Sequence, residues 1–554
     1  MKKIFAIALL YVFSSLACAA DKPGHAAIAS ANKLATQAGF EVIKQGGNAF
    51  DAAVAVAAAL SVVQPQSSGI GGGGFFLLHR AGDGSNVMLD ARETAPAAVN
   101  EAQYLKPDGT PNRDAALHGP LAAGIPGEPA GMVWLAQHYG KLPLSKSLAP
   151  AMRIAREGFQ PDAGFLEAVA SHRELFNRYP GSRALMLPGG EVPKAGWTFK
   201  NPDLAATLER IAEKGNDGFY RGKTAELMLK SVRAQGGNWT AADLASYQVK
   251  LREPIKIDYR GWQIVTAAPP SSGGVALAEI FNVLSGYDLD KMDRVHRLHY
   301  SIEAMRRAFR DHNEYLGDPD FVKMPLATLM SPYYAAGLRA SILPDKATPS
   351  SMLPSAVAQD PGLHTSHFSI IDADGNMVAV TQTVNTHFGS GLVPPGTGMF
   401  LNNEMDDFAL VPGAPNAYGL LGNKANAPAP GKRMLSSMSP SFVFGKDRIG
   451  VIGSPGGSTI ITQVFEGIMA FIDGKSAAQI VAQPRYHEQY LPDVVYVEPD
   501  VFDADTTKAL QAMGYTIKDR GHWGFMNVVT WDLHSNKLDA ASDPRESTGL
   551  GAVQ

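Results

Sequence analysis

Thr365 stands between two unlike stretches of chain. Before it runs SMLPSAVAQDPGLH (Ser351–His364), with two prolines, a glycine and no helical or strand period; such residues favour exposed, irregular backbone. After it, two apolar-alternating runs, His367–Ile371 and Met377–Val384, flank Asp374-Gly375-Asn376, the pattern of a β-hairpin. A cut at His364–Thr365 leaves Thr365 with a free α-amine beside its own hydroxyl. An α-amine has an ordinary pKa of about 7.7–8.0, so it can take the hydroxyl proton near neutrality. A threonine with its own N-terminal amine is a nucleophile–base pair. Without the cut, Thr365 is an ordinary strand residue.

Other residues offer weaker chemistry alone. Asn86–Ala91 reads as a strand that delivers Arg92 to its end; a guanidinium there is a solvated surface group or a fork for a carboxylate. Glu404 and Asp407 are three apart, a spacing that serves one cation or two surface acids. Gly456-Gly457 precedes an amphipathic stretch, Ser458–Asp473. A glycine pair there is a turn, or a source of backbone N–H groups at a helix start. Gly69, Gly71 and Gly74 fit G-x-G-x-x-G, but a helix precedes them and the strand-like FFLLHR follows. That order excludes a dinucleotide fingerprint and leaves a tight turn with close backbone packing. His364, His367 and His387 cluster in sequence without metal-ligand spacing, so no metal is expected.

The stretch TSHFSIIDADGNMVAVTQTVNTHFGSG (Thr365–Gly391) resembles the start of the small subunit of γ-glutamyltranspeptidases. The resemblance extends through LNNEMDDF (Leu401–Phe408), KRMLSSMSP (Lys432–Pro440) and GSPGGS (Gly453–Ser458). Upstream it covers SGIGGGGFF (Ser68–Phe76), DARETAP (Asp90–Pro96) and APPSSGG (Ala268–Gly274), all in family order.

The resemblance implies an α+β fold, the four-layer αββα sandwich of N-terminal-nucleophile hydrolases. It implies one precursor cut at His364–Thr365 into a large subunit, 21–364, and a small catalytic subunit, 365–554, which form a heterodimer. In that pattern Thr365 is the nucleophile, Thr383 hydrogen-bonds it, and Gly456 and Gly457 form the oxyanion hole. Arg92, Ser436 and Ser437 match the binders of the substrate α-carboxylate. Asn385, Glu404 and Asp407 match the binders of its ammonium. Pro412–Arg433, long and rich in proline, glycine and asparagine with Tyr418 as its aromatic residue, matches a lid. The implied partners are glutathione and other γ-glutamyl compounds, with water, amino acids or peptides as acceptors and no cofactor. Some family members carry glutamine at the position of Glu404, which leaves the balance of hydrolysis and transfer open.

Around these residues the chain reads as scaffold. Ala26–Gln64 reads as two helices, the second (Phe50–Val63) apolar on all faces and so deeply buried. Gly127–Gly236 is mainly helical, Glu253–Ala268 alternates as strands, and Gly274–Leu284 and Asp293–Tyr315 read as helices, the last with charge on an outer face. The 554 residues are 45% hydrophobic and 18% charged with net charge −4, which suits a globular protein and gives no nucleic-acid footprint. Lys2 and Lys3, the apolar run Ile4–Phe13 and Ala17-Cys18-Ala19-Ala20 read as a signal peptide over residues 1–20. The expectation is therefore a periplasmic or secreted protein; a lipid anchor on Cys18, the sole cysteine, is the rival. Three alternatives share parts of this pattern: a cephalosporin or glutaryl acylase, a polyglutamate depolymerase, and a non-enzymatic exported binding protein.

Overall fold

A computed structural model describes residues 22–353, 365–411 and 414–554. The expected signal peptide, Cys18, His364 and the first two residues of the expected lid lie outside the described residues.

Two antiparallel sheets lie face to face. The first has seven strands in the order Leu550–Val553, Ala27–Ser30, Ser366–Ile371, Met377–Thr383, Gly73–Arg80, Ser85–Ala91, Lys250–Arg252. The second has six: Lys537–Ser542, Asn527–Asp532, Arg448–Gly453, Ser441–Phe444, Trp262–Thr266, Ile255–Tyr259. Period-two alternation splits each strand between two cores. Phe368, Ile370, Val378 and Val380 pack with the helix Ala49–Val63 in one core; Ile371, Met377 and Ala379 join Val451, Ile452 and Val528 in the other. Helices Gly273–Leu284, Arg294–Tyr315 and Ile460–Ile472 close the far side of the second sheet. The layers run helix, sheet, sheet, helix, the αββα sandwich.

Helix Ala49–Val63 shows why the layers hold. Asn48 caps it, accepting from Phe50 N and Asp51 N at 3.0 Å each, while Asp51 accepts from Asn48 N at 3.0 Å. All fifteen of its residues are buried, and each Val or Leu so buried stabilises the fold by roughly 1.5–3 kcal/mol. Alanine at most other positions lets sheet and neighbouring helices approach.

Two expectations are corrected. Ala27–Ser30 is a strand, not the start of a helix: it pairs on one side with Leu550–Val553 and on the other with Ser366–Ile371. Remote ladder partners override the local alanine content. Only part of the charge on helix Arg294–Tyr315 faces outward, at Arg294 and Glu314. Glu303, Arg306, Arg307 and Asp311 are buried. Burial is tolerated because they pair: Arg307 Nη1 lies 2.5 Å from Glu303 Oε2, and Arg306 Nη1 lies 2.5 Å from Asp493 Oδ1. Among the described residues no helix is long and apolar enough to cross a membrane.

Candidate active site

The register of the sheets brings the candidate residues to one end of the sandwich. Ser366 pairs with Gln382, Gly73 with Thr383, and Gly74 with Ala91. The next residues outward on these neighbouring strands are therefore Thr365, Thr383, Gly73 and Arg92. At the matching end of the second sheet, Arg448–Gly453 runs out toward Gly456-Gly457, and Ser436 and Ser437 lead into Ser441–Phe444. Thr365, Thr383, Asn385, Arg92, Glu404, Asp407, Ser436, Ser437, Tyr418 and Gly457 line one cavity. Gly456 lies one residue behind that wall.

Local chemistry explains the positions. A Cβ on Gly72 would stand 1.9 Å from Thr383 O, so the glycine run lets these backbones close up. Gly456 and Gly457 take φ of 137° and 57°, which turns the chain just before helix Ile460–Ile472. Thr383 Oγ1 accepts from Asn385 N at 2.7 Å, which leaves its hydroxyl proton to give. Asn385 Nδ2 donates to Asn403 O at 2.9 Å, leaving Oδ1 as its acceptor. Ser436 and Ser437 are held by the APPSSGG stretch: Ser272 Oγ donates to Ser436 O at 2.7 Å and Ser271 Oγ to Met438 O at 2.6 Å.

Arg92 is 1% exposed. Its Nη1 lies 2.8 Å from Glu404 Oε2 and its Nη2 2.5 Å from Asp407 Oδ2, with Glu93 at 3.6 Å. Met434 O and Leu435 O accept from Nε and Nη2 at 3.4 and 3.2 Å. The backbone on either side is pinned too: Arg92 N donates to Asp90 Oδ1 at 3.0 Å, and Tyr247 Oη donates to Arg92 O at 2.8 Å. Burial pushes the Glu404 carboxyl well above its ordinary range, against the pull of Arg92. Burial likewise raises Asp407, and it lifts Glu93 to about 7. The pocket thus sets Arg92 among several carboxyls that ionise reluctantly.

Tyr418, in the expected lid, is 4% exposed and donates through Oη to Asn385 O at 2.8 Å. A Cβ on Gly457 would meet its ring at 2.2 Å, so the ring lies directly on the glycine turn. His367 sits between the sheets, bonded to Thr381 Oγ1 at 2.8 Å and Ser369 Oγ at 3.1 Å, whereas His387 packs against His172. Burial holds both imidazoles down at about 3.

A family model described as Gamma-glutamyltranspeptidase matches residues 35–553. The chain belongs to the γ-glutamyltranspeptidase family. It is 42% identical over 532 residues to a glutathione hydrolase proenzyme from Escherichia coli, covering 95% of this chain and 91% of that one. It is 41% identical over 536 residues to a glutathione hydrolase proenzyme from a Pseudomonas strain, covering 94% and 93%. Among solved structures, a cephalosporin acylase from Bacillus halodurans superposes with a TM-score of 0.83 at 29% identity over 99% of both chains. A γ-glutamyltranspeptidase chain from Helicobacter pylori superposes with a TM-score of 0.56 at 41% identity, covering 58% of this chain and 92% of that chain.

This γ-glutamyltranspeptidase-family chain also carries site residues that its sequence did not announce. His312, Asn313, Asn416 and Asn423 line the same cavity, with Asn423 Nδ2 donating to Asn313 O at 2.5 Å. Glu93, Asp90 and Tyr247 set Arg92 from behind. Glu93 adjoins Arg92 in DARETAP, a usable signal; Tyr247 lies 155 residues away and gave none.

Proposed function

We propose that this family member is a γ-glutamyltransferase and glutathione hydrolase whose nucleophile is Thr365, exposed by cleavage at His364–Thr365. The observation that carries the reading is the pocket at the strand end. A hydroxyl nucleophile, a glycine turn and a buried arginine flanked by carboxylates share one cavity. The γ-glutamyl end of a donor carries an α-carboxylate and an α-ammonium. The carboxylate takes the Arg92 guanidinium, with Ser436 and Ser437 beside it. The ammonium takes Glu404, Asp407 and Asn385 Oδ1. Donor binding thus replaces an internal ion pair by two intermolecular ones, so neither partner is left buried and unpaired.

In the reaction the α-amine of Thr365 takes the Oγ proton as Oγ attacks the γ-carbonyl. The oxyanion is held by the N–H groups of Gly456 and Gly457; loss of one such donor costs roughly 10²–10³ in rate in a protease. Thr383 Oγ donates its remaining proton to the nucleophile. The leaving amine takes the proton from the α-ammonium, and a γ-glutamyl ester remains on Thr365. Water then yields glutamate, or an amino acid or peptide yields a new γ-glutamyl amide. Residues 412–433 act as the lid, residues 1–20 direct export, and 21–364 and 365–554 form the two subunits. The Helicobacter match over 58% of this chain is of the extent a separate large subunit requires.

The Bacillus acylase likeness favours one second reading, cleavage of acyl donors without an α-amine. The buried Glu404 and Asp407 weigh against it, since a glutaryl group offers them no cation.

Thr365→Ala tests the core claim. The variant should remain a single band, while the wild type yields a fragment whose N-terminal residue is Thr365 and which hydrolyses γ-glutamyl amides. Two bands from Thr365→Ala assign cleavage to another protease. A mature enzyme that prefers glutaryl over γ-glutamyl donors assigns it to the acylases.

A further inference from the structure

The buried side chain of Gln489 joins the lid to the glycine turn. It is 0% exposed, in the loop between the short strands Tyr486–His487 and Val495–Val497. Its Oε1 accepts from Ser458 Oγ at 2.7 Å and from His487 Nε2 at 2.8 Å. Its Nε2 donates to Tyr418 O at 3.3 Å and to Leu491 O at 3.2 Å. Two carbonyl oxygens, which can only accept, stand at the other end, so a flipped amide would set its oxygen against both. The NH₂ group must therefore face the lid. Ser458 follows Gly457 directly, so one amide spans the turn that carries the oxyanion donors and the backbone of the lid residue that covers it.

We infer that Gln489 is a positioning residue that couples lid closure to the geometry of the Gly456–Gly457 turn, and so sets how the γ-glutamyl-enzyme divides between water and an amine acceptor. This rests on reading residues 414–433 as a lid over the γ-glutamyl pocket. When the lid is down, Tyr418 O satisfies one amide N–H while Ser458 satisfies the oxygen, and both loops are held in one arrangement. When the lid lifts, that N–H is left buried without its acceptor, which draws the lid back. A lid that recloses around the acyl-enzyme limits water to the paths that acceptors also use.

Gln489→Met keeps the volume and removes both arms. The expected result in the mature enzyme is a three- to tenfold fall in the transfer-to-hydrolysis ratio at fixed acceptor, with a raised KM for γ-glutamyl donors. Ser458→Ala, a milder change, frees the amide oxygen from one of its two donors and should move the same ratio in the same direction, so the test survives a poorly folding Met variant. Gln489→Glu can donate to Tyr418 O only while protonated. Its ratio should match wild type at low pH and fall away from it as pH rises. Removal of the lid tip, residues 415–421, should lower the ratio, and Gln489→Met in that background should add nothing. If tip removal changes the ratio but Gln489→Met and Ser458→Ala do not, or if the effects add in full, the coupling is refuted and the lid stands. If tip removal leaves both ratio and donor KM unchanged, the lid reading itself fails, and the coupling with it.

Discussion

Two buried arginines, Arg92 and Arg306, are built from the same materials and do different things. Arg306 sits on helix Arg294–Tyr315 with Asp493 at 2.5 Å, Glu488 at 3.6 Å and Glu303 at 3.9 Å. Most of its neighbourhood is closed with hydrogen bonds; Arg306 Nε and Glu488 Oε2 have none among the described residues, and burial lifts Glu488 to about 7. Glu303 accepts from Thr348 N and Tyr515 Oη at 3.0 Å each, and Asp493 Oδ2 accepts from Ser350 N at 2.8 Å. Burial works to raise Glu303, but Arg307 and the Thr348 bonds outweigh it and hold the carboxyl below its ordinary range. Around Arg92 the balance is reversed. Neither oxygen of Glu404 nor of Glu93 has an aligned hydrogen bond among the described residues, and burial raises both carboxyls. Charge mostly saturated by hydrogen bonds makes a staple, here between Ser350 and the 488–493 loop. Unsaturated charge beside a cavity fits the proposed receptor, whose ligand brings the missing partners.

The comparison breaks most visibly at the staple. Arg306→Met leaves Glu488 and Asp493 without their cation and Glu303 with Arg307 alone, and should cost roughly 3–5 kcal/mol of stability. Urea unfolding measures it; kcat/KM of the folded fraction should stay at wild type. A large activity loss at unchanged stability would place Arg306 in the catalytic machinery instead.

The next effect is a pH dependence seated behind the receptor. Glu128, whose carboxyl is buried and feels the charge of Glu93, is pushed up to about 8. A carboxyl raised on folding keeps its proton in the native state after the unfolded chain has lost it. Its penalty is absent at low pH and grows as pH rises from the ordinary value of 4.5 to about 8. Wild-type stability should therefore fall by about 3 kcal/mol between pH 5 and pH 8 through this group. Glu128→Gln should remove that slope, read from denaturant midpoints at the two pH values. Equal slopes in both proteins would mean that Glu128 stays ionised in the fold.

The smallest of these effects sharpens the receptor itself. Arg92→Lys keeps the charge but loses the fork. It should cost about 1.5–3 kcal/mol in kcat/KM for γ-glutamyl donors, roughly ten- to a hundred-fold or slightly more. The loss should shrink for a glutaryl donor, which lacks both α-substituents. Equal losses on both donors would assign Arg92 to support of the fold or of Thr365.

The sequence disclosed this receptor better than the staple. Alternation around Asp374-Gly375-Asn376 gave the central hairpin, and Asn86–Ala91 gave the strand that ends at Arg92, because both follow local periodicity. Ala27–Ser30 misled because its strand state depends on partners hundreds of residues away. The helix carrying Arg306 misled because charge usually marks a solvated face, and only the fold shows that Asp493 and Glu488 meet it there. Gln489 and Tyr247 were illegible for the same reason: each reaches a backbone carbonyl that sequence distance conceals.

The strand order has a thermodynamic consequence. Strands Ser366–Ile371 and Met377–Thr383 lie between Ala27–Ser30 on one side and Gly73–Arg80 on the other, and Trp262–Thr266 pairs with Ser441–Phe444 in the second sheet. Segments from both sides of residue 365 thus share both large sheets: they interleave in the first, and in the second four strands after residue 365 meet two before it. Once the chain is cut there, neither piece retains either large sheet whole, so separation and unfolding become a single event with two molecules as its product. Mass action then enters where it was absent. The melting temperature of the cut enzyme should rise with protein concentration, whereas that of uncut Thr365→Ala should not.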